Sequence, residues 1–245
     1  MEPLGATPPH DGPRTWPPGW HVTVVDETGS TNADLLAKVG HGALDRTVLT
    51  ARHQTAGRGR LDRKWDAPPG ANLLVSLLFT DVPHVPHVLT QRIGVAAAIA
   101  CERVAGVRPV LKWPNDLLLA NQKLAGVLAQ VGFHSGKQAV VVGIGINVGW
   151  APPEAARLGD GIDALDVLHA LLVAYDELPD DIAPEYRARL GTLGRLVRVE
   201  LPDDGVLTGR ALDVEPDGQL LVLDECGITH RVGVGDVVHL RARDL

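Results

Sequence analysis

At 245 residues, 45% hydrophobic and 22% charged, the chain is long enough for one sizeable core with a small appendage, in the balance of an ordinary folded protein. A net charge of −7 argues against a general nucleic-acid or anionic-membrane binder, which needs an extended basic face. Cys101 and Cys226 stand far apart, with no CxxC and no histidine pair at ligand spacing, which argues against a disulfide framework or structural zinc and points to a reducing cytoplasm.

Residues 1–20 carry Pro3, Pro8, Pro9, Pro13, Pro17 and Pro18 with no continuous apolar block. They read as a disordered or loosely attached leader, neither a signal peptide nor a membrane span. Val22 to Val25 is a β-branched run, hence a strand. Ser30 or Thr31 then caps a helix through Leu35 and Leu36 that stops at Gly40. Thr47 to Ala51 is a second strand, and Leu73 to Phe79 a third, apolar enough to be buried on both faces. Gln91 to Val104 is a small-residue helix suited to packing on a sheet. Val110 to Trp113, Leu117 to Leu119 and Leu124 to Val131 are strands, the last two joined by a turn at Asn121-Gln122. Ala139 to Ile146 is a hydrophobic strand, and Asp163 to Leu178 an amphipathic helix. A short helix from Pro184 to Leu190 precedes Gly191 and Gly194. Beyond that point five short strands (Leu196 to Leu201, Val206 to Val214, Leu220 to Leu223, Thr229 to Val232, Val237 to Arg241) alternate with turns, the pattern of a small β-barrel. The domains are therefore 1–20, 21–193 and 194–245.

Four segments carry chemistry. Between Ala51 and Trp65, five basic residues (Arg52, Arg58, Arg60, Arg63, Lys64) face one acid, Asp62. Within it, Gln54-Thr55-Ala56-Gly57-Arg58-Gly59-Arg60 combines glycine hinges with arginine forks, which suits closure over a small anion. Lys112-Trp113-Pro114-Asn115-Asp116 presents a tryptophan, an amide and a carboxylate at a strand end, because proline breaks the ladder there. Lys123-Leu124-Ala125-Gly126 sits across a tight hairpin, which brings Lys123 beside Asp116. Gly143-Ile144-Gly145-Ile146-Asn147 is not a dinucleotide fingerprint, since GxGxxG needs glycine where Val148 stands. Its glycines let something press against a buried strand, with Asn147 at the mouth. His84 and His87 flank prolines in an expected loop and receive no role.

These segments, with Ser30-Thr31-Asn32, Arg63-Lys64-Trp65 and Gly70-Ala71-Asn72-Leu73, occur in this order in the biotin–protein ligases, which residues 22–241 resemble. The resemblance implies an α+β fold, with a mixed-sheet catalytic domain related to class II aminoacyl-tRNA synthetases and a C-terminal SH3-like β-barrel. It also implies the ligase-only form, because too few residues precede the first strand for a DNA-binding domain. Thr55 and Leu61-Asp62 are small departures from the family pattern.

The implied reaction uses ATP, Mg²⁺ and biotin. Biotin is activated as biotinyl-5′-AMP and passed to a lysine of a biotin carboxyl carrier domain. Lys123 would lie between carboxylate and phosphate, and Arg58, Gly59 and Arg60 would line the biotin site and fold over it. Ser30, Thr31, Asn32 and Gln54 would surround the ureido ring. Arg60, Arg63, Lys64, Trp65, Lys112, Asn115 and Asn147 would serve the nucleotide, and Asp116 would orient the attacking amine. The catalytic set is thus Lys123, Arg58 and Asp116, with no residue assigned to the metal. The implied protein is a cytoplasmic monomer or weak homodimer that binds neither nucleic acid nor membrane. A lipoate–protein ligase would share the adenylate logic, but its Arg-rich, triple-glycine signature is missing. A biotin-binding protein without turnover would have no use for Lys112, Asp116 and Lys123 together.

Overall fold

The structure, a computed structural model, describes residues 14–60, 63–201, 205–233 and 235–239, apart from the side chain of His134. Strands β1 (His21–Thr28), β2 (Thr47–Gln54), β3 (Leu73–Phe79), β4 (Val110–Lys112), β5 (Asp116–Leu119), β6 (Gln122–His134) and β7 (Lys137–Ile146) form one sheet in the order β1-β2-β3-β7-β6-β5-β4. β1 runs parallel to β2 and every other neighbour is antiparallel, so the sheet is mixed.

Every residue of β3 is buried because both faces of the sheet are covered. Helix α1 (Thr31–Val39) sets Leu35 and Val39 against Leu49, Leu78 and Val141 on one face. Helices α2 (His87–Ala105) and α3 (Ala164–Glu177) cover the other. The alanines of α2 let it lie close, and Leu168, Leu171 and Leu172 of α3 are completely buried beside it. Burial of each such leucine contributes roughly 1.5–3 kcal/mol. Helix α4 (Ala183–Arg189) leads to the second sheet. That sheet comprises β8 (Leu196–Glu200), β9 (Val206–Val214), β10 (Leu220–Leu223), β11 (Thr229–Val232) and β12 (Asp236–His239). It is antiparallel throughout, in the order β11-β10-β9-β8-β12.

Several expectations need correction. Residues 14–20 are not loosely attached: Trp20 is 6% exposed and lies edge-on to Phe79 and Tyr175, while Arg14 pairs with Asp163 and Asp166. The rest of the expected leader, 1–13, lies outside the described residues. Helix α2 begins at His87 rather than Gln91, so His87 starts a helix and its ring packs over Gly218. The β5–β6 turn falls on Ala120 and Asn121, both with positive φ, as a two-residue hairpin of the primed type requires. The expected last strand is present over Asp236–His239; its positions 240 and 241 are outside the described residues.

Trp113 is also placed differently from the expectation. It is 1% exposed, its backbone N–H donates to Thr192 Oγ1, and its indole Nε1 donates to the Gly218 carbonyl. Trp113 therefore presents nothing to a ligand; it ties the two sheets together. The Thr192 hydroxyl, which accepts from the Trp113 N–H, also lies 3.0 Å from His239 Nε2, and either of those two atoms can be the donor. Burial, reinforced by the charges of Arg195 and Lys112, lowers the His239 pKa to about 4.

Candidate functional site

A cavity of about 400 Å³ opens over β6 and β7, between the start of α1 and the cationic loop. Glycines make room for it. A Cβ on Gly143 would stand 2.2 Å from Asn32 Oδ1, and one on Gly145 would stand 2.4 Å from Trp65 Cε2. The groups expected to press against the Gly-Ile-Gly strand are thus Asn32 and Trp65. Gly57 has the same function beneath Trp65, whose carbonyl would lie 2.3 Å from an added Cβ.

The closed end of the cavity is a buried polar network. Ser30 caps α1 in extended backbone, its side chain accepting from Ala33 N–H. Gln54 Oε1 accepts from the Thr31 backbone N–H at 2.8 Å and faces Thr31 Oγ1 at 3.0 Å. Thr31 Oγ1 lies 2.7 Å from Ser76 Oγ, which lies 2.5 Å from Asn32 Oδ1. Asn32 Nδ2 donates to the Leu128 carbonyl and to Gln130 Oε1. Backbone partners set both amides: Thr31 N–H needs the Gln54 oxygen, and the Leu128 carbonyl needs the Asn32 nitrogen. Three close O···O contacts therefore share two hydroxyl protons. With Thr31 donating to Gln54 and Ser76 to Asn32, the contact between the hydroxyls has no proton. The network is acceptor-rich by one donor.

The open end is ionic. The two described arms of the cationic segment are joined to each other, with Gly59 N–H donating to the Arg63 carbonyl and Trp65 N–H to that of Gly57. Arg60 donates to Asn115 Oδ1 at 3.0 Å and to the Gly235 carbonyl at 3.3 Å. Arg63 pairs with Asp236 at 2.7 Å. Burial would raise the Asp236 carboxyl, but the bond from Arg63 and the charges of Arg63, Lys112 and Arg60 outweigh it and hold the pKa below the usual carboxylate value. Burial is also the main influence on Arg60 and lowers its pKa, against the attraction of Asp236 and Asp116. The departure at Leu61-Asp62 lies outside the described residues.

Between the two ends, Lys123 Nζ stands 2.7 Å from Asp116 Oδ1, a close ion pair without the alignment of a hydrogen bond. The same ammonium lies 5.7 Å from the centroid of the Trp65 ring. Trp65 Nε1 is buried with no hydrogen-bond partner among the described residues.

Of the expected site residues, Ser30, Thr31, Asn32, Gln54, Arg58, Gly59, Arg60, Arg63, Lys64, Trp65, Asn115, Asp116, Lys123 and Asn147 all line this cavity. Lys112 does not line it; it stands at the junction with the second sheet, where it acts on Asp236 and His239. Asn147 is 4% exposed, and its Nδ2 donates to the Ala156 and Lys123 carbonyls. It therefore offers the cavity mainly the face of its amide. Ser76 and Asp236 also line the cavity but were not anticipated. Ser76 had one signal, a hydroxyl inside an otherwise apolar strand; Asp236 had none. Among the described residues no group of three or more His, Cys, Asp or Glu is placed to hold a metal ion.

Residues 27–147 match the family model of the biotin/lipoate A/B protein ligases, and residues 192–240 that of the biotin protein ligase C-terminal domain. The biotin–[acetyl-CoA-carboxylase] ligase of Mycobacterium tuberculosis is 42% identical to this chain, with 91% of each covered. The bifunctional ligase/repressor of Bacillus subtilis is 27% identical over 89% of this chain and 74% of its own. Among solved structures, a biotin protein ligase from Aquifex aeolicus in complex with biotin and ATP superimposes with a TM-score of 0.75 at 27% identity. That match covers 91% of this chain and 99% of the other.

Proposed function

The chain belongs to the biotin–protein ligases, within the biotin/lipoate A/B protein ligase family, and from that premise we propose that it activates biotin as biotinyl-5′-AMP and transfers the biotinyl group to a lysine of a biotin carboxyl carrier domain. The reading extends to the fold, with kinship to class II aminoacyl-tRNA synthetases and an SH3-like closure of the five C-terminal strands.

The observation that carries the substrate is the missing proton among Gln54, Thr31, Ser76 and Asn32. A cyclic urea brings two N–H donors to such a site, whereas a dithiolane ring brings none. A lipoyl ring would leave those oxygens facing one another unpaired, a mismatch that can reach about 10⁴-fold in discrimination. This favours biotin over lipoate.

In the first step a biotin carboxylate oxygen bonds to the α-phosphorus of ATP, and the bond to the pyrophosphate oxygen breaks. Two anions must meet. Lys123, Arg58 and Arg60 supply fixed positive charge where they approach, and Arg63 and Lys64 supply it for the leaving pyrophosphate. Mg²⁺ would be held chiefly by the phosphates and water, as is usual for nucleotide-bound magnesium, where it offsets their charge. Trp65, with the amide face of Asn147, offers the purine a stacking surface. Arg58 to Arg60, with Arg63 to Trp65, would keep water from the mixed anhydride.

In the second step the carrier lysine nitrogen bonds to the acyl carbon and the bond to AMP breaks. Its ammonium must lose one proton before attack and a second as the amide forms. Asp116 is paired with Lys123 in the structure. Once Lys123 turns to the carboxylate and phosphate, Asp116 is free to orient the ammonium and accept the first proton; the second passes to solvent.

The test is mass spectrometry of a carrier domain incubated with the protein, ATP, Mg²⁺ and either biotin or lipoate. One biotinyl group per carrier, with pyrophosphate released and no lipoyl adduct, is expected. A carrier left unmodified while pyrophosphate appears, or a lipoyl adduct instead, overturns the reading.

A further inference from the structure

Asn72 precedes β3, is 3% exposed and does not line the cavity, yet its amide is joined to the centre of the site. Its Oδ1 accepts from the backbone N–H groups of Val148 at 3.0 Å and Trp150 at 3.2 Å. Its Nδ2 donates to Asn147 Oδ1 at 3.3 Å. Asn147 in turn donates through Nδ2 to the Ala156 carbonyl at 2.9 Å and, more weakly, to the Lys123 carbonyl at 3.4 Å. The Ala156 N–H closes the circuit on that same Lys123 carbonyl at 2.9 Å. Two buried amides thus fasten the segment after β7, whose Pro152, Glu154 and Ala155 form a cavity wall, to the backbone from which Lys123 projects.

The orientation of this pair is not interchangeable. Val148 and Trp150 can be satisfied only by the Asn72 oxygen, so Asn72 must present nitrogen to Asn147. Asn147 must then present oxygen to Asn72 and both its protons to the two carbonyls. A single amide reversal in either residue would set oxygen against oxygen, or N–H against N–H, inside a dry site.

We propose that Asn72 is a positioning residue for the nucleotide half of the reaction: it fixes the Asn147 amide, and through it the spacing between Lys123 and the 152–156 wall. The inference rests on the ligase reading given above. It adds that the two halves of the cavity are tuned separately, since no bond of this circuit reaches Thr31, Asn32, Gln54 or Ser76.

Asn72→Asp tests it with little change in volume. Aspartate keeps the acceptor for Val148 and Trp150 but removes the N–H given to Asn147, which must then either face oxygen or turn its own amide away from Ala156 and Lys123. The expected result is a KM for ATP in biotin-dependent pyrophosphate exchange raised about tenfold, with the biotin Kd measured calorimetrically without ATP within about twofold of wild type. Amide hydrogen exchange should quicken at Ala156 and Leu158, which donate to Lys123 and Asn147, and stay unchanged in β3. A merely structural role would lower the melting temperature and the active fraction without separating the two ligands. If Asn72→Asp does not fold, Asn72→Ser is measured in the same way. ATP and biotin parameters that fall together, or unaltered exchange at Ala156 and Leu158, overturn the proposal. Wild-type protein without biotin-dependent exchange would instead overturn the ligase reading, and hydrogen exchange would still decide the positioning claim.

Discussion

At the closed end of the cavity Thr31, Asn32 and Ser76 are 3%, 7% and 0% exposed, and their side chains bond only to neighbouring strands and to one another. At the open end the Arg63 side chain is 63% exposed and is held by one carboxylate from the second sheet. The first region is a rigid acceptor surface inside a core; the second is assembled from a loop and a distant strand. The difference follows from the ligands proposed. A small ring is recognised by direction, which needs fixed dipoles, whereas a polyphosphate is recognised by charge, which tolerates movement. The closed end should therefore respond to changes of shape, and the open end to changes of charge or ionic strength.

The largest expected effect separates chemistry from recognition. Lys123→Gln should reduce biotin-dependent pyrophosphate exchange by about 10²–10³-fold, the cost typical of losing one preorganised transition-state donor. Calorimetric biotin affinity should change far less; an equal loss would mean that Lys123 belongs to the recognition end. Next comes the shape of the closed end. Gly143→Ala places a methyl where Asn32 Oδ1 now lies, 2.2 Å from the new Cβ, and should weaken biotin binding by about 10–100-fold through overpacking. Ser76→Ala, which deprives Asn32 of its donor, should cost about tenfold. If either variant shifts the KM for ATP as strongly as biotin binding, the two ends are not independent.

Ionic strength gives a smaller effect. Raising salt from about 0.05 to 0.5 M should increase the KM for ATP several-fold and leave the biotin Kd nearly flat, because the Debye length shortens to a few ångströms. Parallel salt dependence of both would remove the distinction. The smallest effect concerns the joint between the sheets. His239 is protonated only near pH 4 in the fold but near its ordinary value of 6.5 when unfolded. Between those values the unfolded chain binds more protons, so stability should fall as pH is lowered from about 6.5 toward 4 and stay level above that range. Urea midpoints at pH 7 and 5 measure this; His239→Gln should flatten the difference, and an unchanged slope would assign it to other groups.

Much of the fold was legible along the chain because burial on two faces, capping and glycine termination leave local marks. Leu73 to Phe79 reads as a buried strand from its composition, and Ser30 as a helix cap from its side chain. The start of α2 was misplaced because His87 and its neighbouring prolines look like a loop until the ring finds Gly218 on the second sheet. Residues 14–20 differ for a related reason: their proline content hides Trp16, which meets His169, and Trp20, whose pocket is built by Phe79 and Tyr175 far along the chain.

By itself the sequence determined which residue types would gather: a glycine-hinged arginine loop, a lysine opposite a carboxylate across a hairpin, and glycines spaced to let other groups lie on a strand. Only the tertiary structure decided that Ser76 completes the acceptor network, that Asp236 meets Arg63, and that Trp113 turns from the cavity to join two sheets. Those contacts link positions 44, 173 and 105 residues apart. A hydrogen bond depends on distances of a few tenths of an ångström and on which way an amide faces. Both are set by strand register and packing between remote segments, which no local pattern of residues encodes.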